Sequence, residues 1–271
     1  MPELPEVETT RRGIEPHIVG RLVATVSLRQ TQLRWPVPSQ LPQLLHRRKL
    51  LQITRRGKYL LLRFEHGHAL LHLGMSGSLR IVAADAPPQK HDHIDLIFNH
   101  GLALRLTDPR RFGALLWTQE PLEQHPLLAN LGPEPLLDEF DGHYLYQRSR
   151  TRRQSIKSFI MDSSTVVGVG NIYANESLFM AGIRPSRAAG KVSLTRYESL
   201  VKHIKAVLCQ AIDRGGTTLR DFVGSDGKPG YFKQELQVYG RGGEPCASCR
   251  KPLKEVRLGQ RSTVYCTSCQ S

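Results

Sequence analysis

Pro2 and Glu3 place a secondary amine beside a carboxylic acid once the initiator Met1 is removed. While Met1 is attached, the Pro2 nitrogen is an acylated amide with no basic lone pair, so chemistry here requires the processed chain. A free secondary amine can attack an electrophilic carbon and become an iminium ion, whose charge draws electrons out of adjacent bonds. Displacement and elimination are then open to one nitrogen. Pro5, Glu6, Val7 and Glu8 read as a helix start, with Leu4, Val7, Ile14 and Ile18 at roughly helical apolar spacing. The positive end of that helix disfavours an ammonium, and a free α-amine has a pKa of about 8, so a small depression leaves a useful neutral fraction. Glu3 is the adjacent proton donor. Taken alone, the same residues also read as a frayed, proline-rich start whose carboxylates cap a helix.

A second constellation lies at the other end of the chain. Cys246-Ala-Ser-Cys249 and Cys266-Thr-Ser-Cys269 are separated by sixteen residues, the paired spacing of a four-thiolate zinc site. Four thiolates leave no open position for water, so one structural Zn2+ is expected, with a redox dithiol as the alternative. Residues 253–258 and 261–265 can form a hairpin turning at Gly259-Gln260, with Arg261 projecting from its tip either to a partner or into solvent. Gly168-Val169-Gly170-Asn171 precedes a helix beginning near Ile172; its amides suit a phosphate, while its glycines equally suit tight helix packing. Arg152, Lys157 and His91 are further phosphate-contact candidates or merely solvated basic residues.

These groups must be held by a sizeable fold. The 271 residues are 39% hydrophobic, enough for one large domain or two ordinary ones. Lys and Arg total 38 against 24 acidic residues, a formal +14 with a pI near 9.9, which argues for a polyanionic partner, nucleic acid or anionic membrane. No apolar run approaches the roughly 20 residues needed to span a bilayer, and no secretory signal pattern opens the chain. A cytoplasmic protein is expected, in which the five cysteines point to metal ligation or free thiols rather than disulfides. Residues 50–117 are β-rich, with strands predicted at 59–64, 69–73, 79–82, 94–98, 102–106 and 114–117 and turns at Glu65-His66-Gly67-His68 and Asn99-His100-Gly101. The expected fold is an antiparallel sandwich or barrel. From Pro121 onward the pattern is helical, clearest over 193–214, where Gly215-Gly216 stops the helix and Cys209 reads as a small core residue. Residues 217–230 read as a polar, Gly-rich loop.

Taken together, Pro2-Glu3-Leu4-Pro5-Glu6, Arg56-Gly57-Lys58-Tyr59, His72-Leu73-Gly74-Met75-Ser76-Gly77, Thr107-Asp108-Pro109-Arg110-Arg111-Phe112-Gly113, Gly168-Val169-Gly170-Asn171-Ile172-Tyr173 and the terminal cysteine hairpin resemble the formamidopyrimidine-DNA glycosylase family over essentially the whole chain. The resemblance implies an α+β multidomain protein. Its expected parts are an N-terminal antiparallel β-sandwich with a terminal helix (1–132), a helical helix-two-turn-helix domain (133–240) and a C-terminal four-Cys zinc finger hairpin (241–271). It implies excision of oxidised purines such as 8-oxoguanine from double-stranded DNA by a monomer, followed by strand cleavage through β,δ-elimination. Pro2 would attack C1′ while Glu3 protonates the sugar ring oxygen, with Lys58 assisting; Arg261 would grip phosphates and aid the second elimination. Met75, Arg110 and Phe112 match the set that fills the space left by the everted nucleotide. Asn171, His91, Arg152 and Lys157 would contact the DNA backbone. An endonuclease VIII-like enzyme for oxidised pyrimidines is the nearest alternative, and a non-cutting zinc-containing damaged-DNA-binding protein is a third reading.

Overall fold

The computed structural model describes residues 2–216 and 235–271, so the expected loop over 217–230 lies outside the described residues. These divide into two compact units, 2–129 with 214–216, and 130–213 with 235–271.

The first unit opens with α1 (Leu4–Ile18), which buries Leu4, Val7, Ile14 and Ile18 on one face, as their spacing predicts. β1 (Val23–Leu28) and the short α2 (Leu41–Leu45) precede the strands β2 (Gln52–Arg56), β3 (Tyr59–Phe64), β4 (Gly67–His72), β5 (Ser78–Ala83), β6 (Asp92–Phe98), β7 (Leu102–Thr107) and β8 (Ala114–Thr118). They pair antiparallel in two four-stranded sheets, ordered β1-β6-β7-β5 and β2-β3-β4-β8. One apolar cluster joins the sheets. Val23, Val26, Ile94, Leu96, Phe98, Leu104 and Leu106 of the first meet Ile53, Leu60, Leu62, Phe64, Ala69, Leu71 and Leu115 of the second, making a sandwich. At about 1.5–3 kcal/mol per fully buried large apolar side chain, this layer supplies the unit's main stabilisation. α1 packs against β2 and β3 of one sheet and β5 and β7 of the other.

Register decides which loops meet. Tyr59 pairs with His72, His72 with Ala114, and Ser78 with Thr107. The β2–β3 turn at Gly57-Lys58, the β4–β5 connection and the β7–β8 connection therefore emerge at the same end of the sandwich.

The second unit contains α3 (Gly142–Ser149), α4 (Ile156–Met161), α5 (Asn171–Met180) and α6 (Leu194–Asp213), followed by the hairpin β9 (Lys254–Leu258) and β10 (Arg261–Tyr265). α6 buries Tyr197, Leu200, Val201, Ile204, Val207, Leu208 and Ile212. Gly215 and Gly216, at φ of 76° and 82°, take the left-handed conformation that ends it. Cys209 is exposed, a correction to its reading as a core residue: the sulfur lies one position outside the buried stripe. Residues 172–179 of α5 are all buried, and this helix packs on α4, α6 and β10.

Candidate active site and metal centre

Pro2 and Glu3 are both buried at the start of α1, with Glu3 only 2% exposed at the N-cap position. Glu6, also 2% exposed, accepts the Glu3 backbone N–H at 2.9 Å. That bond satisfies one of the donors a helix start leaves open and fixes the peptide joining Pro2 to Glu3. It gives Glu6 a positioning task. Gly216 also sits here, since a Cβ on it would lie 3.2 Å from Glu6 Oε1.

Lys58 occupies the second position of the two-residue turn between β2 and β3, after Gly57 at φ 57°. This turn is tied to α1. Arg55 donates from Nη1 to the Gly57 carbonyl at 2.9 Å and from Nε to Glu8 Oε2 at 3.3 Å. Arg11 and Arg12 also bind Glu8, at 3.0 and 2.9 Å. Burial pushes the Glu8 carboxyl up, but these hydrogen bonds and the Arg11 and Arg55 charges outweigh it and hold it below the ordinary carboxylate range. The helix carrying Pro2 and the turn carrying Lys58 are thus linked through one ionised carboxylate.

Across the sheet from Tyr59 stands His72, with ring centroids 4.9 Å apart. Its Nδ1 accepts the Gly74 N–H at 2.9 Å, so in the neutral ring the proton resides on Nε2. Burial, then the charges of Lys58 and Arg34, lower its pKa to about 4. A base whose folded pKa is depressed binds fewer protons folded than unfolded, so stability falls as pH drops from about 6.5 to about 4 and then levels off. His72→Gln is expected to flatten this loss, worth at most about 3 kcal/mol. Thermal unfolding of both proteins at pH 7 and pH 5 checks it; equal acid sensitivity would remove His72 as the cause.

The β4–β5 and β7–β8 connections carry Met75, Arg110 and Phe112. Met75 and Phe112 are large apolar side chains left 37% and 44% exposed, and the Arg110 guanidinium lies over the Phe112 ring, 5.1 Å from its centroid. His91 joins the group, because its carbonyl accepts the Asp108 N–H at 3.0 Å. The first unit thus carries Pro2, Glu3, Lys58, Met75, His91, Arg110 and Phe112, with Lys58 tied to α1 and the last four on neighbouring connections.

The second unit holds the remaining candidates. Asn171 is the first residue of α5, after Gly168 at φ 80° and the N-cap Gly170; its side-chain oxygen is buried with no hydrogen-bond partner among the described residues. Arg152 is exposed before α4. Lys157, expected as a backbone-contact candidate or a solvated cation, is 1% exposed, which overturns the solvated reading, and its ammonium donates to the Ser262 carbonyl at 2.8 Å and Thr263 Oγ1 at 2.7 Å. As placed, it braces β10 rather than facing solvent. Arg261, exposed, pairs with Leu258 beside the Gly259-Gln260 turn, whose φ values of 54° and 62° give the twist a two-residue hairpin requires.

The four cysteine sulfurs lie within 4.8 Å of one another, with Cys249–Cys266 at 3.4 Å and Cys246–Cys269 at 3.9 Å. A tetrahedron with Zn–S of about 2.3 Å needs sulfurs about 3.8 Å apart, so the thiolates fit one structural zinc. Residues that composition did not single out seat this module on α5. Asn175 Oδ1 accepts the Val264 N–H at 2.9 Å, and Glu176 accepts the N–H groups of Gln237, Val238 and Tyr239 at 2.8, 3.0 and 2.8 Å. Their place just after the Gly168–Asn171 run was the available signal, since polar residues buried inside a largely apolar helix need partners.

Comparison with known proteins covers nearly all of the chain. The formamidopyrimidine-DNA glycosylase N-terminal domain matches residues 1–115, the formamidopyrimidine-DNA glycosylase H2TH domain matches 131–223, and the zinc finger found in FPG and IleRS matches 243–271. The formamidopyrimidine-DNA glycosylase of Saccharophagus degradans is 63% identical over the full length of both chains. Among solved structures, the MutM (Fpg) protein of Thermus thermophilus superposes with a TM-score of 0.89 at 35% identity, covering 99% of this chain and 98% of its own. A Lactococcus lactis FPG mutant in complex with Fapy-dG-containing DNA gives 0.92 at 32% identity, covering 99% of each.

Proposed function

The chain belongs to the formamidopyrimidine-DNA glycosylase family, and on that premise we propose that it excises oxidised purines from duplex DNA and cleaves the resulting abasic strand, acting as a monomer in the cytoplasm. Among the described residues no helix is long and apolar enough to cross a membrane. One observation carries the site assignment above the rest. Pro2 and a buried Glu3 stand at the positive end of α1, and the turn bearing Lys58 is tied to that same helix through Glu8 and Arg55.

In the processed protein, the Pro2 lone pair attacks C1′ of the damaged nucleotide as Glu3 protonates the sugar ring oxygen, and the base leaves. The product is an iminium with the sugar ring open. Its charge acidifies the C2′ proton, so loss of that proton expels the 3′ phosphate, and a second elimination releases the 5′ phosphate. Lys58 supplies a cation and proton carrier at the sugar. Met75, Arg110 and Phe112 occupy the space the everted nucleotide leaves, offsetting an unstacking cost of a few kcal/mol. Asn171 and Arg261 hold phosphates, with His91 and Arg152 as outer contacts. Zinc bound to Cys246, Cys249, Cys266 and Cys269 supplies structural pinning of the hairpin. We divide the chain functionally at 1–132, 133–240 and 241–271.

The test is incubation of processed protein with duplex DNA carrying 8-oxoguanine opposite cytosine, borohydride reduction, and mass spectrometry of the crosslinked peptide. A crosslink at Pro2 is expected. A crosslink only with an oxidised pyrimidine would move the assignment to the endonuclease VIII-like reading. Glu3→Gln separates the two activities: it is expected to slow excision of 8-oxoguanine by about 10²–10⁴-fold, the usual worth of a placed proton donor, while cleavage of a preformed abasic site falls far less. Equal losses on both substrates would contradict the role given to Glu3.

A further inference from the structure

Beneath the exposed Met75 and Phe112 lies a polar brace. Asp108 is fully buried, and each of its carboxylate oxygens binds a different loop. Oδ1 accepts the Ser76 hydroxyl of the β4–β5 connection at 2.9 Å; Oδ2 accepts the Gly113 N–H of the β7–β8 connection at 2.7 Å. Ser76 Oγ in turn accepts the Arg110 N–H at 3.3 Å. The Asp108 carbonyl accepts from His93 Nε2 at 2.8 Å, fixing the loop to β6. The two backbones also touch directly. A Cβ on Gly74, at φ 65°, would fall 2.3 Å from the Phe112 carbonyl carbon.

Large apolar side chains on two separate loops would ordinarily fold down onto the surface or move independently. Here the loops beneath them are cross-linked by buried hydrogen bonds, which are strong where water is excluded. We propose that Asp108 and Ser76 form a clasp that sets Met75, Arg110 and Phe112 as one rigid wedge before DNA arrives, making both positioning residues for eversion of the damaged nucleotide. This rests on the glycosylase reading above. A preset wedge avoids ordering two loops during binding, so the clasp acts on the unstacking step and leaves the chemistry at C1′ alone.

Single-turnover excision would be measured for wild type, Ser76→Ala, Ser76→Thr and Asp108→Asn on 8-oxoguanine in duplex and in single-stranded DNA. A 2-aminopurine beside the lesion reports unstacking, and thermal unfolding is followed in parallel. Ser76→Ala is expected to slow duplex excision and the 2-aminopurine step together by about tenfold, with single-strand excision within about twofold of wild type. Ser76→Thr, which keeps the hydroxyl, restores the duplex rate; Asp108→Asn, which loses one acceptor, behaves as Ser76→Ala. Equal loss on both substrates, no loss on either, or Ser76→Thr as impaired as Ser76→Ala at unchanged melting temperature would overturn the clasp. Failure of wild type to excise from either substrate or to trap on abasic DNA would instead sink the glycosylase reading.

Discussion

Pro2→Gly is expected to reduce borohydride crosslinking to 8-oxoguanine DNA by about a hundredfold or more, and a chain that keeps an acyl group on Pro2 should lose it wholly. The reason lies in the nitrogen. A secondary amine forms an iminium that is positively charged at every pH, whereas a primary amine gives an imine that must also be protonated before it withdraws electrons. The proline ring further fixes φ near −65°, and the Glu6 carboxylate, 2.9 Å from the Glu3 nitrogen, pins the peptide that follows. Glycine keeps the second restraint and loses the first, so a residual activity is expected. The measurement is trapping yield with peptide mapping. A crosslink of undiminished yield in Pro2→Gly, mapping to Lys58, would transfer the nucleophile's role to the lysine.

Much of the proposed site is legible because the chemistry assigned to it depends on residue type at short spacing. Pro2-Glu3, the paired Cys-x-x-Cys motifs and the hairpin turning at Gly259-Gln260 needed no tertiary information, and strand 59–64 is reproduced to the residue in β3. β1 and β2 were not among the predicted strands. β2 reads Gln52-Ile-Thr-Arg-Arg56, and as an edge strand of its sheet it buries Ile53 alone, which leaves too little alternation to detect. α4, six residues long, is too short for a helical period to show.

Burial of charge was the harder loss. Lys157 reads as a backbone-contact candidate or a solvated cation, and only the folded chain reveals its ammonium on Ser262 and Thr263 of β10. Asp108 joins two loops that are distant in sequence from each other. Pairings across such separations leave no local pattern, so the residues that orient the site are less readable than those proposed to perform its chemistry.

That asymmetry bears on the metal. The buried cluster around the cysteines is small, comprising Phe179, Val238, Leu253 and Val264 with Cys246 and Cys266, and a lone two-stranded hairpin is marginal in water. Structural zinc supplies roughly 10–16 kcal/mol in isolated zinc-finger peptides, far more than this cluster can replace. Cys266→Ser, or chelation, is therefore expected to unravel residues 241–271, remove the tip that presents Arg261 and weaken DNA binding by about a hundredfold or more. The loss should extend to α4, because unravelling takes two acceptors from the buried Lys157 ammonium. Limited proteolysis should cut first within 241–271 and next near α4, while fragments of the β-sandwich survive. Restoring zinc to the chelated wild-type protein should reverse each change. If Cys266→Ser, shown by metal analysis to be zinc-free, bound DNA as wild type does, the hairpin would have no part in holding it.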